Sequence, residues 1–136
     1  MKRVIGIGGI FFKSQDPQKL AEWHRRHLGL ELIDGAIASF PWRSADEPES
    51  ENRTMWAPFP KNTRYFAPSR APFMINFIVA DLDRLLRQLR REGVEVDERI
   101  EDSEFGRFGW IMDPEGHRIE LWEPPRAKRA KKRKGK

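Results

Sequence analysis

Stretches of this chain match one another at a fixed separation of 65 residues, and that self-similarity restricts the fold more than any other feature. "FFKSQD" closes at Asp16 and "NFIVAD" closes at Asp81. Each Asp precedes a helical pattern, "PQKLAEWHRRHLGL" in one case and "LDRLLRQLRREGV" in the other. Asp is a good N-cap because its carboxylate accepts from the free N–H groups of a first turn, and Pro17 suits the first helical position. Gly29 and Gly93 suit the helix ends. At the same separation, "ENRTMWAPFP" from Glu51 matches "GHRIELWEPP" from Gly116, sharing an Arg and a closing Pro. The chain therefore reads as two halves of one domain.

Each half reads as strand, helix, then three strands. In the second half these fall at Phe73–Val79, Leu82–Glu92, Val94–Ile100, Arg107–Met112 and His117–Trp122. "DPEG" at Asp113–Gly116 is a turn signal between the last two strands. Helical spacing puts Leu82, Leu85, Leu86 and Leu89 on one stripe, so this helix packs on its sheet. The expected boundaries are a first module at about 4–60, a Pro-rich linker at 61–72 and a second module at about 73–125.

Residues 126–136, "RAKRAKKRKGK", hold eight of the 26 Lys and Arg and no acid. The rest has 18 basic against 21 acidic residues, a net charge of −3 beneath the overall +5. The basic run is expected to be a disordered tail, capable at most of weak, sequence-independent contact with nucleic acid. The body has no basic stripe interleaved with stacking aromatics, so a nucleic-acid domain is not expected. The absence of cysteine rules out disulfides, thiolate nucleophiles and Cys metal sites. No apolar run is long enough to span a bilayer. The glycine-broken start reads as a strand and not as a signal peptide, so a soluble cytoplasmic protein is expected.

The paired β-α-β-β-β pattern, "HLGL" closing the first helix and "DPEGHRIELWEP" as the last hairpin resemble the vicinal oxygen chelate superfamily, which includes glyoxalase I, extradiol dioxygenases and bleomycin-resistance proteins. The resemblance runs from about Val4 to Pro125. It implies an α+β fold whose modules form a curved mixed sheet around one cavity, commonly in a homodimer. It also implies a divalent metal held from the first and last strands of each module. At those four places this chain offers Gly9, Met55, Met74 and Glu120. A glycine gives no ligand, and thioethers suit hard cations poorly. His24 and His27 lie on the first helix, and His117 alternates to the face opposite Glu120. No metal site is therefore expected, the alternative being zinc, manganese, nickel or iron on an unrecognised ligand set.

Alternation sends Arg53, Met55, Met74, Asn76, Arg118, Glu120 and Trp122 toward the expected cavity, an apolar wall with a few polar handles. Arg53 or Arg118 suits a ligand carboxylate or phosphate. The competing structural expectation is that Glu120 pairs with Arg118 or Arg53 across the sheet. Tyr65 and Phe66, aromatic residues in the linker, are candidates for a lid or a dimer contact. Three functions follow. The first is metal-free small-molecule binding of the sequestering or sensing kind. The second is a glyoxalase-, epimerase- or dioxygenase-type enzyme with Glu120 as metal ligand or general base. The third is an interaction module that acts through its basic tail.

Overall fold

The computed structural model describes residues 3–125. The basic run at 126–136, expected to be a disordered tail, lies outside the described residues. Seven strands and two helices follow in the order β1 (Val4–Ser14), α1 (Pro17–Leu28), β2 (Ala38–Arg43), β3 (Glu51–Pro60), β4 (Phe73–Val79), α2 (Leu82–Arg91), β5 (Glu101–Ser103), β6 (Gly106–Met112) and β7 (Arg118–Glu123). They form one mixed sheet with strand order β2-β3-β1-β4-β7-β6-β5. β1 and β4 run antiparallel at its centre, each with a parallel neighbour from its own half, β3 and β7 respectively. Among the described residues no helix is long and apolar enough to cross a membrane.

Both helices start where the sequence places them. Asp16 accepts from Lys19 N at 3.1 Å, and Asp81 accepts from Arg84 N at 3.2 Å. Gly29 ends α1 at φ +69°, a left-handed conformation that costs glycine little. The apolar stripe of α2 packs as its period demands. Leu82, Leu85 and Leu86 form a core with Val79 and Leu121, with Leu89 partly buried against it. A second core lies on the other side of the sheet, built from Phe66, Met74 and Trp110.

Two expectations need correction. The strand expected over 94–100 is reduced to a single bridge, Val96 to Ile111, and the edge strand forms later, at Glu101–Ser103. Asp97 explains the delay: its carboxylate accepts from Arg99 N two residues on, and this local turn competes with a strand ladder. In the first half only β2 and β3 follow α1, and the third strand shrinks to one bridge, Leu32 to Ala38.

Candidate functional site

Along β7, Ile119 and Leu121 pack toward α2, while Arg118, Glu120 and Trp122 alternate to the opposite face. Glu120 is 2 % exposed. Its Oε1 accepts from Asn76 Nδ2 at 2.6 Å and its Oε2 from Trp110 Nε1 at 3.0 Å. The Tyr65 hydroxyl also donates to Oε2. All three donors are neutral, and among the described residues no cation is ion-paired with Glu120. Burial raises the carboxyl pKa above its ordinary value; the three donors oppose that shift, and the charge on Glu101 adds to it. The same burial and the neighbouring Glu120 charge raise the pKa of the Tyr65 phenol, so its proton stays in place to be donated.

The side chains that hold Glu120 come from three directions. Asn76 sits beside it on β4 and Trp110 opposite it on β6. Tyr65 arrives from the segment at 61–72, which lies over this face of the sheet with no helix or strand of its own. Phe66 is completely buried there against Met74 and Trp110. The space expected as an open cavity is thus occupied by the linker's own aromatic rings.

The other anticipated residues are placed as follows. Met74 lines the Phe66–Trp110 core. Arg118 is 9 % exposed, bonds Asp97 at 3.2 Å and lies over the Trp110 ring at 5.3 Å; it does not pair with Glu120. Arg99 also lies over that ring at 5.3 Å, so the indole carries two guanidinium contacts. Trp122 stacks on Phe108 and donates to Phe105 O at 2.7 Å. Arg53 bonds Ser39 at 2.6 Å and lies 3.4 Å from Glu51, so it too leaves Glu120 unpaired. The expected cross-sheet ion pair is absent: Arg53 is engaged by Glu51 on its own strand, and Arg118 reaches over the Trp110 ring to Asp97 beyond β6. Met55 and Arg53 lie on β3, three strands from Glu120, or roughly 14 Å at normal strand spacing.

Strand register gives a row across the sheet of Met55, Gly9, Asn76 and Glu120. The 65-residue offset pointed to Met74, but Met74 pairs with Phe11, beyond the row. β1 pairs with β3 as Gly9 to Met55 and β4 pairs with β7 as Asn76 to Glu120, so the registers of the two modules differ by two residues. This row does not fit a divalent cation. It offers no side chain, a thioether, an amide and one carboxylate whose oxygens already accept three hydrogen bonds. Among the described residues, no group of three or more His, Asp or Glu side chains is placed to hold a metal. The histidines are used elsewhere. His24 bonds Leu20 O and packs on Trp56, His27 packs on Trp23, and His117 bonds Asp113 across the last turn.

Trp110 is a functional residue that the sequence motifs did not single out. A partial signal was present: a three-residue loop of Pro114, Glu115 and Gly116, closed by Asp113 and His117, puts Trp110 directly opposite Glu120, whereas centring the hairpin on all four residues of "DPEG" points to Ile119. Gly8 is a second missed contributor. A Cβ there would overlap Asn76 Oδ1 and lie 2.8 Å from Ile78 Cγ1 and 2.9 Å from Trp122 Cε3. Gly8→Ala is therefore expected to push Asn76 off Glu120 and cost about 1–3 kcal/mol, as other overpacked cores do. Urea unfolding would measure this, and an unchanged midpoint would show that Asn76 moves freely. A separate open groove of about 500 Å³ runs beside the first turns of α1, bordered by Ser14, Lys19, Leu20, Trp23 and His24. Its one acid, Asp16, is already the helix cap.

A family model described as the glyoxalase/bleomycin resistance protein/dioxygenase superfamily matches residues 6–121. No curated protein matches the chain in sequence. Among solved structures, a methylmalonyl-CoA epimerase variant from Streptomyces coelicolor, in complex with 2-nitronate-propionyl-CoA, superposes with TM-score 0.64 at 18% identity, covering 89% of this chain and 98% of that one. Methylmalonyl-CoA epimerase from Mycobacterium tuberculosis gives 0.59 at 21% identity, covering 94% of each chain. A structure titled as NAD-dependent benzaldehyde dehydrogenase from Legionella pneumophila gives 0.56 at 16% identity, covering 86% of this chain and 98% of that one. At these identities the likenesses establish the fold alone.

Proposed function

The chain belongs to the glyoxalase/bleomycin resistance protein/dioxygenase superfamily, and from that premise we propose that it is a metal-free member that binds a small molecule against Glu120, to sequester or to sense it. The observation that supports this is a carboxylate 2 % exposed, held by three neutral donors and, among the described residues, by no counter-ion. Burying a charge without an opposite charge is expensive, and an apolar residue of similar volume would serve stability better. Groups kept in so costly a state cluster at functional sites. The ligand presents a hydrogen-bond donor to the carboxylate and an apolar body to Phe59, Phe66 and Met74. A cytoplasmic, homodimeric protein is part of the same proposal.

Thermal unfolding with added zinc, manganese, nickel or iron(II) tests the metal-free part. No saturable rise in Tm is expected. A rise with one metal per site, lost in Glu120→Ala, would overturn the reading. A panel of small amines, amides, carboxylates and aromatic drugs tests the binding part. A binder at a hundredfold its Kd adds about 2.7 kcal/mol, and that gain should depend on Glu120.

The raised proton affinity of Glu120 favours a second reading, an isomerase-type enzyme with this carboxyl as general acid or base. Glu120→Gln would abolish turnover in that case, while a binding protein keeps much of its affinity.

A further inference from the structure

Tyr65 is the single tyrosine of the chain, and it sits in the Glu120 site as a ligand would. Its ring stacks on Phe59 with centroids 5.6 Å apart and planes 6° from parallel. It meets Trp110 edge-on, at 6.4 Å and 88°. Its hydroxyl donates to the buried carboxylate at the end of the slot. The neighbouring Phe66 is fully buried and fixed, whereas Tyr65 is only partly buried. The backbone around it is held by short-range turn bonds, such as Ala67 N to Arg64 O and Ser69 N to Phe66 O. Tyr65 can thus leave the slot by a local change that keeps the Phe66 anchor.

Given the reading of the Glu120 face as a small-molecule site, we propose that this slot binds a monocyclic hydroxyaromatic ligand, which takes the place of the Tyr65 side chain. The walls select a flat ring through stacked and edge-on contacts. The carboxylate selects a neutral donor, since an anionic ligand meets like charge in a dry site. A ring without a hydroxyl leaves the carboxylate one donor short. Tyr65 is tethered beside the slot, so it competes at high effective concentration and sets the ligand level needed to displace it.

The test uses p-cresol, which is the tyrosine side chain without its backbone, and toluene as its hydroxyl-free control. By calorimetric titration, p-cresol should bind Tyr65→Ala at least about tenfold more tightly than wild type, because the tethered competitor is gone. Toluene should bind that variant about tenfold more weakly than p-cresol, the equivalent of one hydrogen bond to a charged acceptor. Adding Glu120→Gln should narrow the gap between the two compounds. Tyr65→Phe keeps the ring and guards against misfolding; p-cresol should bind it several-fold more tightly than wild type. In wild type labelled at its single tyrosine, saturating p-cresol should move the ring resonances to their solvent-exposed positions.

Equal affinity of p-cresol for wild type and both Tyr65 variants overturns the proposal. So does saturation of wild type with the tyrosine signal unmoved. The parent reading fails separately, when no compound of the wider panel gives a Glu120-dependent shift. An organic amine that binds through Glu120 while p-cresol ignores Tyr65 overturns the hydroxyaromatic slot alone.

Discussion

Trp110→Ala is expected to destabilise the protein by about 3–5 kcal/mol, the usual cost of deleting a buried tryptophan. Trp110 is 0 % exposed and packs with Phe66 and Met74. Its indole also carries Arg99 and Arg118 on its ring and donates to Glu120. The loss is a large share of the 5–15 kcal/mol that holds an ordinary domain together. Trp110→Phe separates the contributions, since it keeps most of the packing and removes the N–H. Its expected cost is nearer 1–3 kcal/mol, that of one lost hydrogen bond to a buried charged group. Urea unfolding of both variants reads the difference. A negligible loss in Trp110→Phe would mean that the hydrogen bond to Glu120 contributes little.

The second large effect is a pH dependence that Glu120→Gln abolishes. Burial holds the Glu120 carboxyl above its ordinary value of 4.5, so the folded state binds this proton more tightly than the unfolded chain. Stability from this group is fully present below the ordinary value, falls as pH rises from there to the raised value, and is level above it. Glutamine carries no charge and has no such slope. Its oxygen can accept from Trp110 and Tyr65, and its amide can donate to a turned Asn76 carbonyl. That would satisfy Asn76 Oδ1, which is buried with no hydrogen-bond partner among the described residues. The Tm of Glu120→Gln should therefore rise relative to wild type across this window and exceed it at neutral pH. Subtracting wild type cancels the opposite slope of carboxylates with lowered pKa, such as Asp113 beside His117. A Tm difference flat from acid to neutral pH would show that Glu120 folds with an ordinary pKa. Glu120→Ala, by contrast, strands Trp110 Nε1 and Asn76 Nδ2 and should destabilise at every pH.

Local signals in the sequence carried much of this architecture. The bounds of β4 and the start of α2 agree with the expected ones because caps and period act over a few residues. Alternation gave the inward face of Glu120 for the same reason. Features set by non-local pairing were not legible. The β4–β7 register, two residues off its β1–β3 counterpart, put Asn76 and not Met74 beside Glu120. The strand order put Arg53 and Met55 out of reach of Glu120, which spacing within one strand cannot reveal. That Tyr65 fills the site depends on how a segment without regular structure folds back over the sheet. Its two adjacent aromatic residues hinted at burial but not at where.

The strand order also bears on how copies of this protein can meet. A sheet that does not close leaves two borders able to recruit another chain's backbone. One border is β2, whose middle holds Pro41, a residue with no N–H to offer a newcomer. The other is β5, only three residues long and carrying Glu101 and Asp102. Both borders are poor templates for strand addition, which guards the fold against runaway aggregation. The edges thus favour docking of a second copy through side chains on a face of the sheet or helices over extension of the sheet itself.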